Sequence, residues 1–264
     1  MPKADLGDLE IYYEVHGEGP PVLLVSGLGG VGAYWQPNIP AFAARHRVII
    51  HDHRGTGQSS RSKIEYSVDQ MTDDLVRLMD HLKLDRAHLV GHSTGGAIGQ
   101  TLAATHPERL ASLVIYASWT KADPFFRRSF EARRTLLATA GTAAYVRSTP
   151  VFLYPAWWIN ENAALLEERE KVTIPGFPGA EIVASWIDAI VAFDRTAELA
   201  RIRAPTLVIC ARDDFITPPH FSEELARLIP GAALRLLDKG GHCASETTPE
   251  AFNAAVLGFL QQHR

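Results

Sequence analysis

A serine stands between paired glycines in Gly91-His92-Ser93-Thr94-Gly95. The residues before it, Ala87-His88-Leu89-Val90, form an apolar run, and those after it, Gly95 to Ala103, have the composition of a helix. A serine at a sharp strand-to-helix turn exposes its hydroxyl above a sheet edge, where it can act as a nucleophile. Such a turn strains the serine backbone and brings strand and helix very close, so glycine is needed on both sides. The helix that follows aims free N–H groups and the positive end of its dipole at the same point, which suits a developing oxyanion. The Thr94 N–H is one candidate donor. The segment Ser26-Gly27-Leu28-Gly29-Gly30 follows an earlier strand and offers a second through the Leu28 N–H. An ordinary glycine-rich turn shows the same three letters, so the pattern needs partners elsewhere.

A serine nucleophile requires a histidine base and a carboxylate to orient it. With a serine on this kind of turn, the acid and then the histidine follow later in the chain. Pro205 to Cys210 reads as a buried strand and runs into Asp213 and Asp214. Spacing alone leaves both acids open. Ala233 to Leu237 reads as the last strand and leads through Asp238-Lys239-Gly240-Gly241 to His242, the candidate base. His92 sits on the strained turn itself, where it shapes the elbow and points away from Ser93. The chemistry these residues could perform is acyl transfer to water.

The elements that must position them alternate. Strands are expected at Leu9 to Val15, Pro21 to Val25, Arg47 to His51, Ala87 to Val90, Leu113 to Tyr116, Pro205 to Cys210 and Ala233 to Leu237. Ser67 with Gln70 forms a capping box before apolar positions Met71, Leu75, Leu78 and Leu82. Thr248-Pro249 opens a last helix through Phe252, Val256 and Phe259. Strands alternating with helices predict a mostly parallel sheet covered on both faces.

The rhythm breaks between residues 119 and 202. Short helices are expected there, around Phe125 to Ala140, Ala143 to Ser148, Asn162 to Lys171 and Ala180 to Asp194. The spacing predicts a core made of residues 1–118 and 203–264 and an inserted helical cap at 119–202. Aromatic residues crowd the insertion. Most should form its own small core, with Trp157, Trp158 and Trp186 as candidates to line a substrate pocket.

Composition excludes some classes. The 264 residues carry 26 Lys plus Arg against 30 Asp plus Glu, a net charge of −4. That gives no electrostatic case for nucleic acid or an anionic membrane as partner. No apolar stretch is long enough to span a bilayer, and Met1 to Asp5 lacks the features of a secretory leader. The expectation is a cytoplasmic enzyme, monomer or homodimer, acting on a small molecule. Cys210 and Cys243 flank the candidate acid and base and are expected as reduced thiols, with a redox pair as the alternative. His51 and His53 share a strand but have no third ligand at a sensible spacing, so no metal is expected. The glycines between Asp52 and Ser59 lack the lysine ending of a phosphate loop and read as a structural turn.

Assembled, these residues resemble an α/β-hydrolase fold over nearly the full length. That resemblance implies an eight-stranded, mostly parallel sheet with helices on both faces and an inserted helical cap. A narrower one is to the pyrimidine-utilisation protein D family. It rests on Tyr34-Trp35, Arg54-Gly55-Thr56-Gly57, Phe152-Leu153-Tyr154-Pro155-Ala156 with Trp158, Asp213-Asp214, Gly240-Gly241-His242, and Thr248-Pro249-Glu250 with Phe252-Asn253. It implies Asp214 as the acid, four residues before Pro218, with Asp213 as the alternative. It also implies hydrolysis of carbamate or aminoacrylate in uracil breakdown, without cofactor or metal. The same triad would serve a carboxylesterase or enol-lactonase. Other scaffold uses are a cofactor-free lyase, oxygenase or haloperoxidase, or a non-catalytic binder.

Overall fold

The structure, a computed structural model, describes residues 2–263. Eight strands form one sheet: β1 (Lys3–Asp5), β2 (Glu10–His16), β3 (Pro21–Val25), β4 (Arg47–His51), β5 (Ala87–His92), β6 (Leu110–Tyr116), β7 (Thr206–Ala211) and β8 (Ala233–Leu237). Their spatial order is β1-β2-β4-β3-β5-β6-β7-β8. The β1–β2 and β2–β4 pairs are antiparallel; every later pair is parallel. This agrees with the expected mostly parallel architecture.

Side chains alternate across a strand, so each parallel strand feeds two cores. Leu23, Ile49, Leu89 and Leu113 enter one; Val22, Val48, Val90 and Val114 enter the other. The first core is closed by α2 (Val68–His81), α3 (Thr94–Thr105) and α8 (Pro219–Leu228). The second is closed by α1 (Ile39–Ala43) and α10 (Pro249–Gln261). A fully buried Leu or Ile of this kind contributes about 1.5–3 kcal/mol. That is ample to hold both faces and to fix the ends of the central strands.

Helix starts follow their caps unevenly. Ser67 accepts the Gln70 N–H at 3.0 Å and so caps α2. The other half of the capping box does not form: Gln70 Oε1 accepts no hydrogen bond among the described residues, while Nε2 donates to Asp74. Thr248 makes no cap bond for α10; its hydroxyl donates back to the Ala244 carbonyl of α9 (Ala244–Thr247) at 3.1 Å.

Between β6 and β7 lie α4 (Pro124–Leu153), α5 (Ala156–Glu161), α6 (Ala163–Thr173) and α7 (Ala180–Ala192). The two helices expected at Phe125 to Ala140 and Ala143 to Ser148 form one element with a break at Gly141 (φ 80°, ψ −178°). The second half runs past Pro150 to Leu153. The short α5 was not foreseen: it has too few residues for a periodic pattern. The five-residue α1 was likewise not among the expected elements.

Candidate active site

Ser93 follows β5 directly and caps α3 with φ 54° and ψ −114°, a conformation that costs a non-glycine residue about 1–3 kcal/mol. The surroundings impose it. The Ser93 N–H donates to the Tyr116 carbonyl at 2.8 Å, and the Ser118 hydroxyl donates to the Ser93 carbonyl at 2.8 Å. A Cβ on Gly91 would lie 2.1 Å from the Gly95 carbonyl oxygen, and one on Gly95 would lie 2.2 Å from that of Val25. No other residue fits at these two positions. Although Ser93 occupies the cap position, its side chain makes no cap bond, so its hydroxyl is not committed to the helix.

Asp214 follows β7 and His242 follows β8. His242 Nδ1 lies 3.0 Å from Asp214 Oδ2 and 3.1 Å from Oδ1, both side chains being almost wholly buried. The Thr217 N–H and hydroxyl also donate to Asp214, at 2.9 and 2.8 Å. A buried carboxylate with three donors is well compensated. With Nδ1–H turned to the acid, Nε2 is the nitrogen available as a base. Asp213 is exposed, and its Oδ1 accepts the Gly241 N–H at 2.8 Å. The ring bonds of His242 run to Asp214 and Thr217; among the described residues none reaches the Ser93 hydroxyl. Serine–histidine bonds of this kind are often long until substrate is bound.

Sequence reasoning missed the frame behind His242. The His242 carbonyl accepts from Tyr116 Oη at 2.9 Å and from His92 Nε2 at 3.0 Å. The His92 ring lies flat on Tyr34, 4.7 Å between centroids, and 4.7 Å from the His242 ring. Burial holds the His92 pKa well below its usual value. His92 is therefore a neutral donor that ties the elbow to the loop carrying His242. On the other side, the His242 N–H donates to the Leu153 carbonyl at the end of α4, at 3.0 Å.

Thr94 begins α3, so its N–H is one of the helix's unpaired first-turn donors. The Leu28 N–H has no acceptor among the described residues. The loop bearing Leu28 is pinned from below. Asp52 accepts the N–H groups of Gly32 and Gln58, each at 2.8 Å; Thr56 Oγ1 donates to the Gly30 carbonyl at 2.9 Å; His53 Nε2 donates to the Ser26 carbonyl at 2.9 Å. The glycine loop after β4 is thus a brace for the segment beside the elbow. His51 and His53 pack edge to face, 4.9 Å apart.

A cavity of about 460 Å³ opens beside Leu28 and Gly29, roofed by α4, α6 and α7. Trp186 lines it. Trp157 and Trp158 lie elsewhere: Trp158 is buried flat against Tyr154 at 4.3 Å, and Trp157 sits under the Lys239 ammonium at 4.6 Å. Trp158 thus packs among the helices between β6 and β7, and Trp157 meets the loop before His242. Arg133 of α4, which drew no attention in the sequence, also lines the cavity. Cys210 and Cys243 are both buried and free. No helix among the described residues is long and apolar enough to cross a membrane.

A family model described as alpha/beta hydrolase fold matches residues 20–249. A protein of Azorhizobium caulinodans named "Putative carbamate hydrolase RutD" is 46% identical over 259 residues, covering 98% of each chain. One of the same name from Caulobacter sp. strain K31 is 46% identical over 256 residues, covering 95% of each. Among solved structures, the enol-lactonase from Burkholderia xenovorans LB400 matches with a TM-score of 0.90 and 29% identity, covering 98% of this chain and 100% of that one.

Proposed function

The chain belongs to the α/β-hydrolase fold family and, within it, groups with the RutD proteins; from that footing we propose that it is a serine hydrolase of carbamate or aminoacrylate in pyrimidine catabolism. The observation that carries the reading is the buried Asp214–His242 pair, 3.0 Å apart, at the same sheet rim as an elbow serine whose hydroxyl is uncommitted. Ser93 is the nucleophile, His242 the base and Asp214 the group that orients it. The Leu28 and Thr94 N–H groups hold the oxyanion.

On carbamate, the Ser93 Oγ–C bond forms while His242 takes the hydroxyl proton. The C–N bond then breaks as His242 returns that proton to nitrogen, releasing ammonia. Water, deprotonated by His242, attacks the serine-bound carbonate; the Ser93 Oγ–C bond breaks as His242 returns the proton to Oγ, and carbon dioxide leaves in its hydrated form. On aminoacrylate, water adds to the imine tautomer to give a carbinolamine, whose C–N bond breaks to release ammonia and leave an aldehyde, and Ser93 serves as a polar partner. We take residues 119–202 as a cap that excludes water from these steps. The setting is the cytoplasm, the protein a monomer or homodimer, and no cofactor, metal, nucleic acid or membrane takes part.

The enol-lactonase match favours a second reading, an ester or lactone hydrolase with the same three residues. Purified enzyme offered ring-opened pyrimidine products and a panel of p-nitrophenyl esters separates the two. Ammonia release above the spontaneous rate supports the first; ester turnover without it supports the second.

A further inference from the structure

Arg133 carries a charge that the protein does not neutralise. Its side chain is 6% exposed. Nη2 donates to Tyr145 Oη at 3.0 Å and to Thr149 Oγ1 at 3.5 Å, both neutral. Nε is buried without a partner. Among the described residues no carboxylate lies within ion-pair distance of it. The rings of Phe130, Tyr145 and Phe152 surround the guanidinium at 5.3, 5.1 and 5.4 Å. Such contacts offset part of the lost hydration. They do not replace an anion, and a guanidinium cannot escape by losing its proton.

The other charged groups on the cavity wall are already matched. Arg169 pairs with Glu246 at 2.5 Å, and Glu170 pairs with Arg147 at 3.2 Å. Arg133 is thus the unmatched charge of a cavity whose floor is the Leu28–Gly29 segment. The remaining lining is largely apolar, including Val146, Leu153, Phe177 and Trp186. A flat, forked cation between aromatic walls matches a flat carboxylate, which it can meet with two parallel N–H bonds.

We propose that Arg133 is the anion-recognising residue of the cap cavity and that this enzyme selects small substrates whose carboxylate stands apart from the reacting carbon, as in aminoacrylate and unlike carbamate, the carboxylate being held by Arg133 while the reacting carbon faces Leu28 and Ser93. The proposal rests on the hydrolase reading for the second half and on the cavity alone for the first. It excludes neutral apolar esters as preferred substrates. An incoming carboxylate also restores charge balance in the cap, so binding and cap stability are linked.

Binding measured without turnover tests it apart from the assignment of Ser93. Propionate, isosteric propionamide and sodium chloride at equal ionic strength are titrated against the native protein, following tryptophan fluorescence and thermal midpoint. Propionate should bind saturably and raise the midpoint; propionamide and chloride should not. Arg133→Met should weaken propionate by at least about tenfold, and Arg133→Lys should recover part of the loss. Equal effects of propionate and chloride, or equal propionate affinity in Arg133→Met, would overturn the proposal. If Arg133→Met does not fold, the wild-type comparison of acid against amide still decides it. Absence of a fluorophosphonate adduct on Ser93 would sink the nucleophile role given to Ser93 and leave the Arg133 result standing.

Discussion

Asp213 and Gly241 are joined by one hydrogen bond, the Gly241 N–H donating to Asp213 Oδ1 at 2.8 Å. The contact gives two adjacent acids different tasks. Asp213 fixes the turn that delivers His242, whereas Asp214 meets the imidazole itself.

Asp214→Asn should therefore cost far more activity than Asp213→Asn. An amide in place of Asp214 can hold the wrong tautomer of His242, a change worth about 10⁴-fold in comparable triads. Asn at 213 keeps an oxygen for the Gly241 N–H, so kcat should fall only a few-fold. Steady-state kinetics on the two variants check this, and the opposite ranking would reassign the acid.

Ser93→Ala should lower kcat by a factor on the order of 10⁶ if the reaction passes through a serine-bound intermediate. The hydroxyl makes no cap bond, so its removal should leave the thermal midpoint within a degree or so of wild type. Intact-protein mass after a fluorophosphonate should show an adduct on wild type and none on the variant. Near-normal turnover would exclude covalent catalysis.

Gly95→Ala should damage folding more than chemistry. The added methyl would lie 2.2 Å from the Val25 carbonyl oxygen, and neither the β3 backbone nor α3 can yield without disturbing the sheet. Overpacking of this kind costs about 1–3 kcal/mol. A midpoint equal to wild type would mean that strand and helix are less tightly held than the geometry requires.

Much of this arrangement was legible because local rules set it. The elbow needs glycines at 91 and 95, and His242 needs a glycine turn after the last strand; both demands are written in adjacent letters. The sheet was legible because buried parallel strands are apolar runs. What escaped depends on distant partners. Nothing near Arg133 in sequence says that no acid will meet it. Nothing near His92 says that its Nε2 will reach a carbonyl 150 residues on. Trp157 and Trp158 were misplaced for a related reason. Aromatic content marks a segment as packed, but not which face of a six-residue helix looks into a cavity.

Cys210 and Cys243 should be inert in the native protein. Burial pushes the Cys210 thiol up to about 12 and that of Cys243 higher still. The thiolate is the reactive form. Iodoacetamide at neutral pH should leave both unmodified until denaturant is added. Rapid labelling of the folded enzyme would show that the site's underside opens in solution.

Stability should fall on mild acidification, and histidines set the direction. Burial lowers the pKa of His51, His53 and His92, and takes His88 down to about 4. Unfolded, each would titrate near 6.5. Below that value the unfolded chain binds protons that the folded chain refuses, so the unfolded state gains. Stability from these groups is complete above pH 6.5 and is lost as pH falls from there, for His88 down to about 4, by at most about 1.4 kcal/mol per unit for each histidine. Asp52, raised by burial, works the other way, but it is one group against four. The thermal midpoint should therefore drop steadily between pH 7 and pH 5. His88→Gln should flatten that slope, since the amide can still bond Ser112, which His88 meets at 2.8 Å, and cannot take up the proton. A midpoint that holds level or climbs over this interval would mean that these imidazoles are already charged in the folded protein, and that the neutral donor role given to His92 is wrong.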